Sequence, residues 1–239
     1  MKISKYKHNS DISYTLGITL TIELLKHKPD RVKMVFLHSS LTNGEGYSCI
    51  AKLAEEHSIP IEYNDKVFNI LSQKENCFAI GVFEKFESPV NERENHILLV
   101  NPSNAGNMGT IIRAAAGFNM SNIVVIKPGT DIFDPKTVRA SMGAVFSINF
   151  QYFDTFEEYK ENFSKHSLYP FMLNAKSALE CAQFKEPCTL IFGNEATGLP
   201  EYFSKEGTSL IISHSNKIDS LNLPVAASIA MYELTKGNF

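Results

Sequence analysis

The sequence contains no apolar run that approaches the roughly 20 residues a membrane-spanning helix requires. Its first residues, MKISKYKHNSDISYTL, also lack the apolar core of a secretory signal. We therefore expect a cytoplasmic protein without a membrane partner. The chain has 239 residues, of which 44% are hydrophobic and 21% charged, as in an ordinary globular protein with one large or two small domains.

Metal-ligand spacing is absent as well. Cys49, Cys77, Cys181 and Cys188 are scattered without a C-x-x-C pair, and the seven histidines show no ligand spacing. We expect buried free thiols and no metal site.

The chain has no overall excess of positive charge that would indicate nucleic acid, because its formal net charge is −3. The segment up to Lys33 is locally basic, however. Lys5, Lys7, Arg31 and Lys33 are candidates for contacts with RNA phosphates, and a solvated surface is the alternative.

The first part of the chain alternates helices and strands. Apolar spacing predicts helices over 14–26, 47–57 and 65–71, and branched and aromatic runs predict strands over 32–38, 59–63 and 77–86. A polar, aperiodic stretch from Glu87 to His96 then indicates a linker. We place domains at 1–88 and 97–239, with the linker at 89–96.

The second part alternates again, and its strands are uninterrupted apolar runs. Strands are predicted at 96–100, 122–126, 144–150, 169–175, 188–195 and 209–215. Helices are predicted after Asn104 and over 134–142, 155–164 and 222–234. This pattern predicts an α/β domain with a parallel sheet that is covered on both faces.

Three passages that follow strands combine small residues with polar groups. They are NPSNAGNMG before an apolar helix, FGNEATGLP, and KIDSLNLP before the last helix. Ligands bind at the carboxyl ends of strands in open α/β sheets. No G-x-x-x-x-G-K-[ST] occurs, and Gly106 and Gly109 lack the third glycine of the dinucleotide fingerprint, so NAD and ATP are excluded. Taken alone, the glycines of the first passage could serve only a tight turn. In the third passage, taken alone, we favour Ser220 or Asn222 as the N-cap of the last helix.

Together the three passages resemble the SpoU/TrmH branch of the SPOUT superfamily of RNA methyltransferases. The first family motif, N-x-G-x-x-x-R, matches Asn107, Gly109 and Arg113. The second, F-G-N-E-x-x-G-L, matches the residues from Phe192 to Leu199. The third, S-L-N before an alanine-rich helix, matches the residues from Ser220 to Glu233. The segment RASMGAVF, with Ser141, Gly143 and Ala144, resembles an intermediate family element.

The resemblance implies a C-terminal SPOUT α/β domain with a deep trefoil knot, a homodimer, and S-adenosylmethionine as the methyl donor. The implied acceptor is a ribose 2′-hydroxyl of ribosomal or transfer RNA. The implied catalytic residues are Asn107, Arg113, Glu195, Ser220 and Asn222. The implied cofactor-binding residues are Gly193, Asn194, Gly198, Ile212 and Leu221. Residues 1–88 resemble, less specifically, a small ribosomal-protein-like α/β domain that binds RNA.

Arg113 is the one cation of the three passages, and its role is open to more than one interpretation. Family models sometimes make this arginine the general base, but a guanidinium does not readily lose its proton. We therefore expect it to position the RNA phosphate and the target hydroxyl, and a buried ion pair with Glu195 is the structural alternative.

Two other functions fit the same scaffold. One is methylation of a base nitrogen, and the other is a catalytically silent RNA-binding or assembly factor. Two positions depart from the family pattern: Asn119 stands where glycine is common, and His214 lies in a stretch that the family often makes more apolar. Asn104 is expected only to shape its turn.

Overall fold

The computed structural model describes residues 3–72 and 76–238. By the packing of its residues the chain divides into two compact units. The first unit consists of Met1–Phe86 and Asp131–Ser147, and the second consists of Glu87–Thr130 and Ile148–Phe239. The segment Asp131–Ser147 therefore packs with the first unit, although it lies inside the predicted C-terminal domain. The predicted boundaries themselves stay a prediction.

The two units contain eleven strands and seven α-helices within the described residues. The strands are β1 (Ile12–Leu16), β2 (Val32–Leu37), β3 (Ile61–Tyr63), β4 (Ala79–Glu84), β5 (His96–Val100), β6 (Asn122–Ile126), β7 (Asn149–Phe153), β8 (Ser167–Pro170), β9 (Ser177–Ala178), β10 (Cys188–Phe192) and β11 (Leu210–Ile211). The helices are α1 (Ile18–His27), α2 (Glu45–Glu56), α3 (Asp65–Leu71), α4 (Ala105–Gly117), α5 (Pro135–Ala140), α6 (Phe156–Asn162) and α7 (Leu223–Thr235). Among these described helices, none has the length and apolar character needed to cross a membrane.

The first unit is built on a mixed four-stranded sheet in the order β1-β4-β2-β3. β1 and β2 run antiparallel to β4, and β3 runs parallel to β2. The predicted helix start at Tyr14 is wrong, because Tyr14 lies in β1 opposite Val82 of β4. The helix begins only after Gly17, whose φ of 136° separates it from the strand. Leu16 happened to continue the leucine spacing of α1, so periodicity alone extended the helix too far.

The segment Asp131–Ser147 packs its aromatic residues within the first unit. The Phe133 and Phe146 rings contact Phe83 at 5.7 and 5.2 Å between ring centroids. The predicted strand from Ala144 is wrong at its start, since Ala144–Phe146 forms a 3-10 turn and β7 begins at Asn149. Gly143, in the intermediate family element, has φ +88°, and a Cβ there would lie 2.7 Å from the Glu23 Cβ. Both the backbone angle and the close contact favour glycine at this position.

The second unit is built on a five-stranded parallel sheet in the order β7-β6-β5-β10-β8. Every residue of β5, β6 and β10 is buried, as expected for central strands covered on both faces. The predicted α/β class and parallel sheet are confirmed. The trefoil knot stays a prediction. β5 and β10 are hydrogen-bonded neighbours, so the loops that follow them begin at the same edge of the sheet.

The helix α4 has a well-defined cap at each end. The Asn104 side chain accepts hydrogen bonds from the backbone N–H groups of Gly106 and Asn107, at 2.8 and 3.1 Å. At the other end, Asn119 has φ +56°, and the N–H of Met120 donates to the Ala115 carbonyl. This is the left-handed helix stop that favours glycine, with asparagine as the usual replacement. The departure from the family at Asn119 is therefore conservative.

All four cysteines are free, and they differ in exposure. Cys77 and Cys188 are buried as expected, Cys49 is partly buried, and Cys181 is exposed. The expectation of buried thiols is wrong for Cys181.

Two buried histidines lie at the start of the parallel sheet. His96 is fully buried, with Nδ1 at 2.9 Å from the Tyr159 hydroxyl and Nε2 at 2.9 Å from the Asn91 carbonyl oxygen. The His166 ring lies 4.3 Å from the His96 ring. Burial lowers the pKa of His96 to about 4, and the charge of the neighbouring His166 acts in the same direction. Burial also lowers the pKa of His166.

We predict that acidification destabilises the protein through His96. Its folded pKa lies below the unfolded value near 6.5, so its contribution is present above pH 6.5 and is lost as the pH falls towards 4. Linkage gives a loss of about 2 kcal/mol between pH 7.5 and 5.0 for this one group. Urea unfolding at the two pH values measures it.

The variants His96→Asn and His57→Asn test the assignment, since His57 is exposed at the end of α2. His96→Asn should reduce the pH dependence of the free energy of unfolding, and His57→Asn should leave it unchanged. If the free energy of unfolding depended equally on pH in wild type and in both variants, the role of His96 would be contradicted.

Candidate active site

Two of the three predicted loops are joined by direct hydrogen bonds, and the third meets the second around a cavity. The loop after β5 contacts the loop after β10 through the side chains of Asn194 and Glu195. The loop between β11 and α7 contributes Ile212, His214, Ser220 and Leu221 to a cavity that the β10 loop also lines. The structure therefore brings the three sequence motifs to one place in the second unit.

Glu195 holds the start of α4 through both of its carboxylate oxygens. Its Oε2 accepts hydrogen bonds from the backbone N–H and the hydroxyl of Ser103, at 3.1 and 2.9 Å. Its Oε1 accepts from the Asn104 N–H and from the Asn107 amide, each at 3.2 Å. Partial burial by itself would raise the pKa of Glu195, but hydrogen bonds from its own N–H, from Ser103 and from Asn107 lower it below its ordinary value. The carboxylate is therefore ionised at neutral pH and already engaged.

Asn194 shapes its own loop and binds the neighbouring one. Its Nδ2 donates to the Asn101 carbonyl oxygen at 2.7 Å. Its Oδ1 accepts from the N–H groups of Ala196 and Thr197 at 2.9 and 3.3 Å, which closes a tight turn. Because both ends of the amide are occupied within the protein, Asn194 fixes the wall of the cavity through its turn.

Gly193 allows two parts of the backbone to approach each other closely. A Cβ at this position would lie 2.1 Å from the Gly198 carbonyl carbon and 2.3 Å from the Leu199 nitrogen. No side chain fits there without moving the backbone, so the glycine is required by packing. The close approach keeps the 194–198 turn folded back against the end of β10.

The cavity has a volume of about 250 Å³. All five predicted cofactor-binding residues line it, together with Glu195 and Ser220. Phe171, Leu210 and Leu223 supply apolar surface. An adjoining cavity of about 490 Å³ shares several lining residues with the first, among them Leu173 and Gly198. Apolar walls with a few polar edges suit a small organic ligand.

Arg113 is exposed, although its neighbours Ile111 and Ile112 are fully buried. Among residues 3–72 and 76–238, no hydrogen bond or ion pair to Arg113 is formed. The alternative of a buried ion pair with Glu195 is wrong, because that carboxylate is occupied by Ser103, Asn104 and Asn107. Its guanidinium is therefore available to a ligand.

Ser220 and Asn222 are exposed at the entrance to α7. Within the part of the chain that the structure describes, neither side chain makes a hydrogen bond, and Asn222 caps α7 only through its carbonyl, which accepts from Ala226. The predicted cap position is confirmed for Asn222, but the cap is made by its backbone and not by its side chain, and Ser220 is not the cap. The donors and acceptors of both side chains are free for another partner.

A family model described as "SpoU rRNA Methylase family" matches residues 94–232, which is more than half of the chain. The chain belongs to the SpoU rRNA methylase family. The matched region contains the first two motifs, all but the last residue of the third, and the residues that line the cavity. The predicted family is thereby confirmed for the second part of the chain.

Similar proteins agree with this membership. The chain is 27% identical over 156 residues to a 23S rRNA (uridine(2479)-2′-O)-methyltransferase of Streptomyces viridochromogenes, covering 62% of this chain and 54% of that relative. It is 27% identical over 149 residues to a putative tRNA (cytidine(34)-2′-O)-methyltransferase of Lactococcus lactis, covering 59% of this chain and 88% of that relative. The structure of an AdoMet-bound rRNA methyltransferase from Sinorhizobium meliloti superimposes with a TM-score of 0.81 and 26% identity, covering 96% of this chain and 88% of that one. The chain thus spans only about half of the Streptomyces relative.

Several residues of this SpoU methylase lie at the site although they are not among the predicted site residues. Ser103 gives Glu195 two of its four hydrogen bonds, and its only sequence signal was a position just before the helix cap. Phe171, Met172 and Leu173 line both cavities after β8. A position after a parallel strand could have indicated them.

The four basic candidates of the first unit differ in their surroundings. The Arg31 Nε lies 3.0 Å from the Asp30 Oδ2, and the Lys33 Nζ lies 2.5 Å from the Glu84 Oε1, so each cation has a carboxylate partner. Lys5 and Lys7 are exposed and have no such partner among the described residues.

Nowhere in residues 3–72 and 76–238 do three or more His, Cys, Asp or Glu side chains gather as metal ligands would.

We predict that Glu195→Gln lowers the free energy of unfolding by about 1–3 kcal/mol, because an amide cannot accept from four donors and loses the charge that strengthens these bonds. Urea unfolding measures the change. Glu161→Gln is the matched control, since Glu161 is exposed on α6. Equal stability of the two variants would show that the Glu195 carboxylate does not hold the loops.

Proposed function

We propose that this SpoU methylase transfers a methyl group from S-adenosylmethionine to a ribose 2′-hydroxyl of ribosomal or transfer RNA. The observation that supports the proposal most is the cavity where the three motif loops meet. The names of the Streptomyces and Lactococcus relatives support the 2′-O position and the two RNA classes. The cytoplasm, where both RNAs occur, is the proposed location.

The residues present fit the cofactor. Gly193 and Ile212 line the cavity, and Phe171, Leu210 and Leu221 offer apolar surface to a nucleoside ring. When bound, S-adenosylmethionine supplies a methyl group that its sulfonium has already activated. The protein therefore has to orient an oxygen nucleophile and stabilise the charge that develops on it.

Arg113 is the residue best suited to that electrostatic task. Its exposed guanidinium has no partner among the described residues, so a phosphate or a developing alkoxide can bind to it without breaking an ion pair. A phosphate contact would place the ribose, and the fixed positive charge would favour loss of the hydroxyl proton. Ser220 and Asn222 have free polar groups to orient the ribose.

Glu195 and Asn107 have a positioning role in this proposal. Both Glu195 oxygens already accept hydrogen bonds, and the pKa of the carboxylate is lowered. A carboxylate in that state is a weak base and a poor proton acceptor. It holds the start of the Arg113 helix against the cavity wall instead.

We predict that Arg113→Ala lowers methyl transfer by about 100-fold or more, because loss of one preorganised charge at a reacting oxygen has an effect of that size. Affinity for S-adenosylmethionine should change less than about twofold, since Arg113 does not line the cavity. Transfer of labelled methyl groups to RNA and calorimetry measure the two effects. Arg93→Ala is the control, because Arg93 is exposed ahead of β5. Normal turnover of Arg113→Ala would rule out the assigned role.

The same assay separates the alternative functions. Digestion of the labelled RNA to nucleosides shows whether the methyl group is on the ribose or on a base nitrogen. A silent RNA-binding factor would bind RNA and transfer no methyl group. RNA from cells that lack the gene is the substrate of choice, because its target positions are unmodified.

We further propose a homodimer that forms through α7. Val225, Ile229 and Tyr232 are 47%, 38% and 53% exposed, and their spacing places them on one face of the helix. The opposite face of α7 is buried through Ala227, Ala230 and Met231. A row of exposed apolar side chains on a packed helix is typical of an interface. A second copy, with the same face, would cover it by two-fold symmetry.

We predict that Ile229→Glu converts the dimer to a monomer, because a carboxylate cannot be buried unpaired in an apolar interface. Light scattering after size-exclusion chromatography measures the mass. Ile70→Glu is a matched control, since Ile70 is 40% exposed on α3 of the first unit. A wild-type monomer, or a dimer that persists in Ile229→Glu, would contradict the proposed interface.

Binding of the RNA outside the reacting nucleotide is proposed for the first unit. Lys5 and Lys7 are the preferred phosphate contacts, because they have no carboxylate partner among the described residues. Arg31 and Lys33 would have to exchange Asp30 and Glu84 for phosphate, so they are the weaker candidates.

A further inference from the structure

His214 is a partly buried side chain on the wall of the 250 Å³ cavity. Its Nδ1 lies 2.8 Å from the Ile212 carbonyl oxygen. A carbonyl oxygen only accepts hydrogen bonds, so Nδ1 carries a proton and donates it. In the neutral ring Nε2 then has a free lone pair. Within residues 3–72 and 76–238, no group forms a hydrogen bond with Nε2.

We propose that Nε2 of His214 binds the cofactor in this cavity as a hydrogen-bond acceptor, and that protonation of the ring makes the site discriminate against a cationic ligand. This inference rests on the proposed function, because it takes S-adenosylmethionine and its product as the ligands. The neutral ring accepts from a hydroxyl or amino group of the ligand. The protonated ring has no lone pair, and it adds a positive charge to a cavity that must hold a sulfonium.

The other charges around His214 do not cancel this change. Glu195 is the one other titratable residue that lines the cavity among the described residues, and its carboxylate is held by Ser103, Asn104 and Asn107. Glu180 accepts a hydrogen bond from the neighbouring Ser213 hydroxyl at 2.8 Å. Hydrogen bonds lower the pKa of both carboxylates, so both stay negative from pH 5.5 to 8.

The remaining residues that line the cavity with His214 are uncharged. α7 contributes Leu223 and Ala226 to the cavity, and the end of β8 contributes Phe171 and Met172. Lys217 and Asp219, exposed in the same loop, have opposite charges and do not line the cavity. His214 is therefore the group on the cavity wall whose protonation the proposal invokes.

The test compares two ligands that differ in charge at sulfur. Calorimetry gives the dissociation constants of S-adenosylmethionine and S-adenosylhomocysteine at pH 8.0 and 5.5, for wild type and His214→Gln. In wild type, lowering the pH from 8.0 to 5.5 should raise the dissociation constant of S-adenosylmethionine about three- to tenfold more than that of S-adenosylhomocysteine. The reason is that the protonated ring repels the sulfonium across a partly screened site. In His214→Gln the ratio of the two constants should not change with pH. Circular dichroism checks that each protein is folded at both pH values.

A second variant measures the hydrogen bond itself. At pH 8.0, His214→Leu should raise the dissociation constants of both ligands about fivefold, which is the effect of losing one neutral hydrogen bond. His214→Gln should weaken them less, because its amide oxygen can accept. His57→Gln is the control for a histidine outside the cavity, since His57 is exposed in the first unit.

The outcomes separate this inference from the proposed function. If wild type binds neither ligand at pH 8.0, the proposed function fails and the inference fails with it. If both ligands bind and the pH dependence of their ratio is the same in wild type and His214→Gln, the inference alone is overturned. An unchanged affinity in His214→Leu at pH 8.0 would also overturn it.

Discussion

The geometry of the candidate site depends on one carboxylate. β5 and β10 are neighbours in the sheet, so their carboxyl ends are adjacent, but the ladder hydrogen bonds stop where the strands end. Beyond that point the loops are joined by the bond from Asn194 to the Asn101 carbonyl and, in larger part, by Glu195, which accepts from Ser103, Asn104 and Asn107. An ionised acceptor is needed for this, since four donors converge on two oxygens. These bonds also keep the carboxylate ionised against the cost of its burial.

The polar residues of the three motifs fall into two groups by their hydrogen bonds. Asn104, Asn194 and Glu195 use their side chains within the protein, and they fix where helices and turns begin. Arg113, Ser220 and Asn222 are exposed and have no partner for their side chains among the residues that the structure describes. The side chains that are hydrogen-bonded within the protein make the loops rigid. The side chains without a partner can bind a ligand without first losing a protein contact. Catalysis by positioning needs both kinds.

Much of this arrangement is predictable from the sequence, because the central strands of a parallel sheet are continuous apolar runs. HILLV, NIVVI and CTLIF are all buried strands as predicted. Local patterns failed where a neighbouring element decides the structure: Tyr14 pairs with β4, although its spacing is helical. Ser220 and Asn222 resemble helix caps in sequence, but whether a side chain turns to its own backbone depends on tertiary surroundings. The partners of Glu195 are 88 to 92 residues away, beyond the reach of any local pattern.

The two sides of the cavity differ in how firmly they are held, and this difference affects binding. The 194–198 turn is fixed by Asn194, by Glu195 and by the close backbone approach at Gly193. β11 opposite it has only two residues, and the stretch from Ser213 to Asn222 is mostly exposed. A ligand that orders this stretch loses part of its binding free energy to conformational entropy. The bond from His214 to the Ile212 carbonyl reduces that loss, because it fixes the ring near the cavity before a ligand arrives. On the less constrained wall, the His214 ring is therefore a part of the loop whose position is already restricted before a ligand binds.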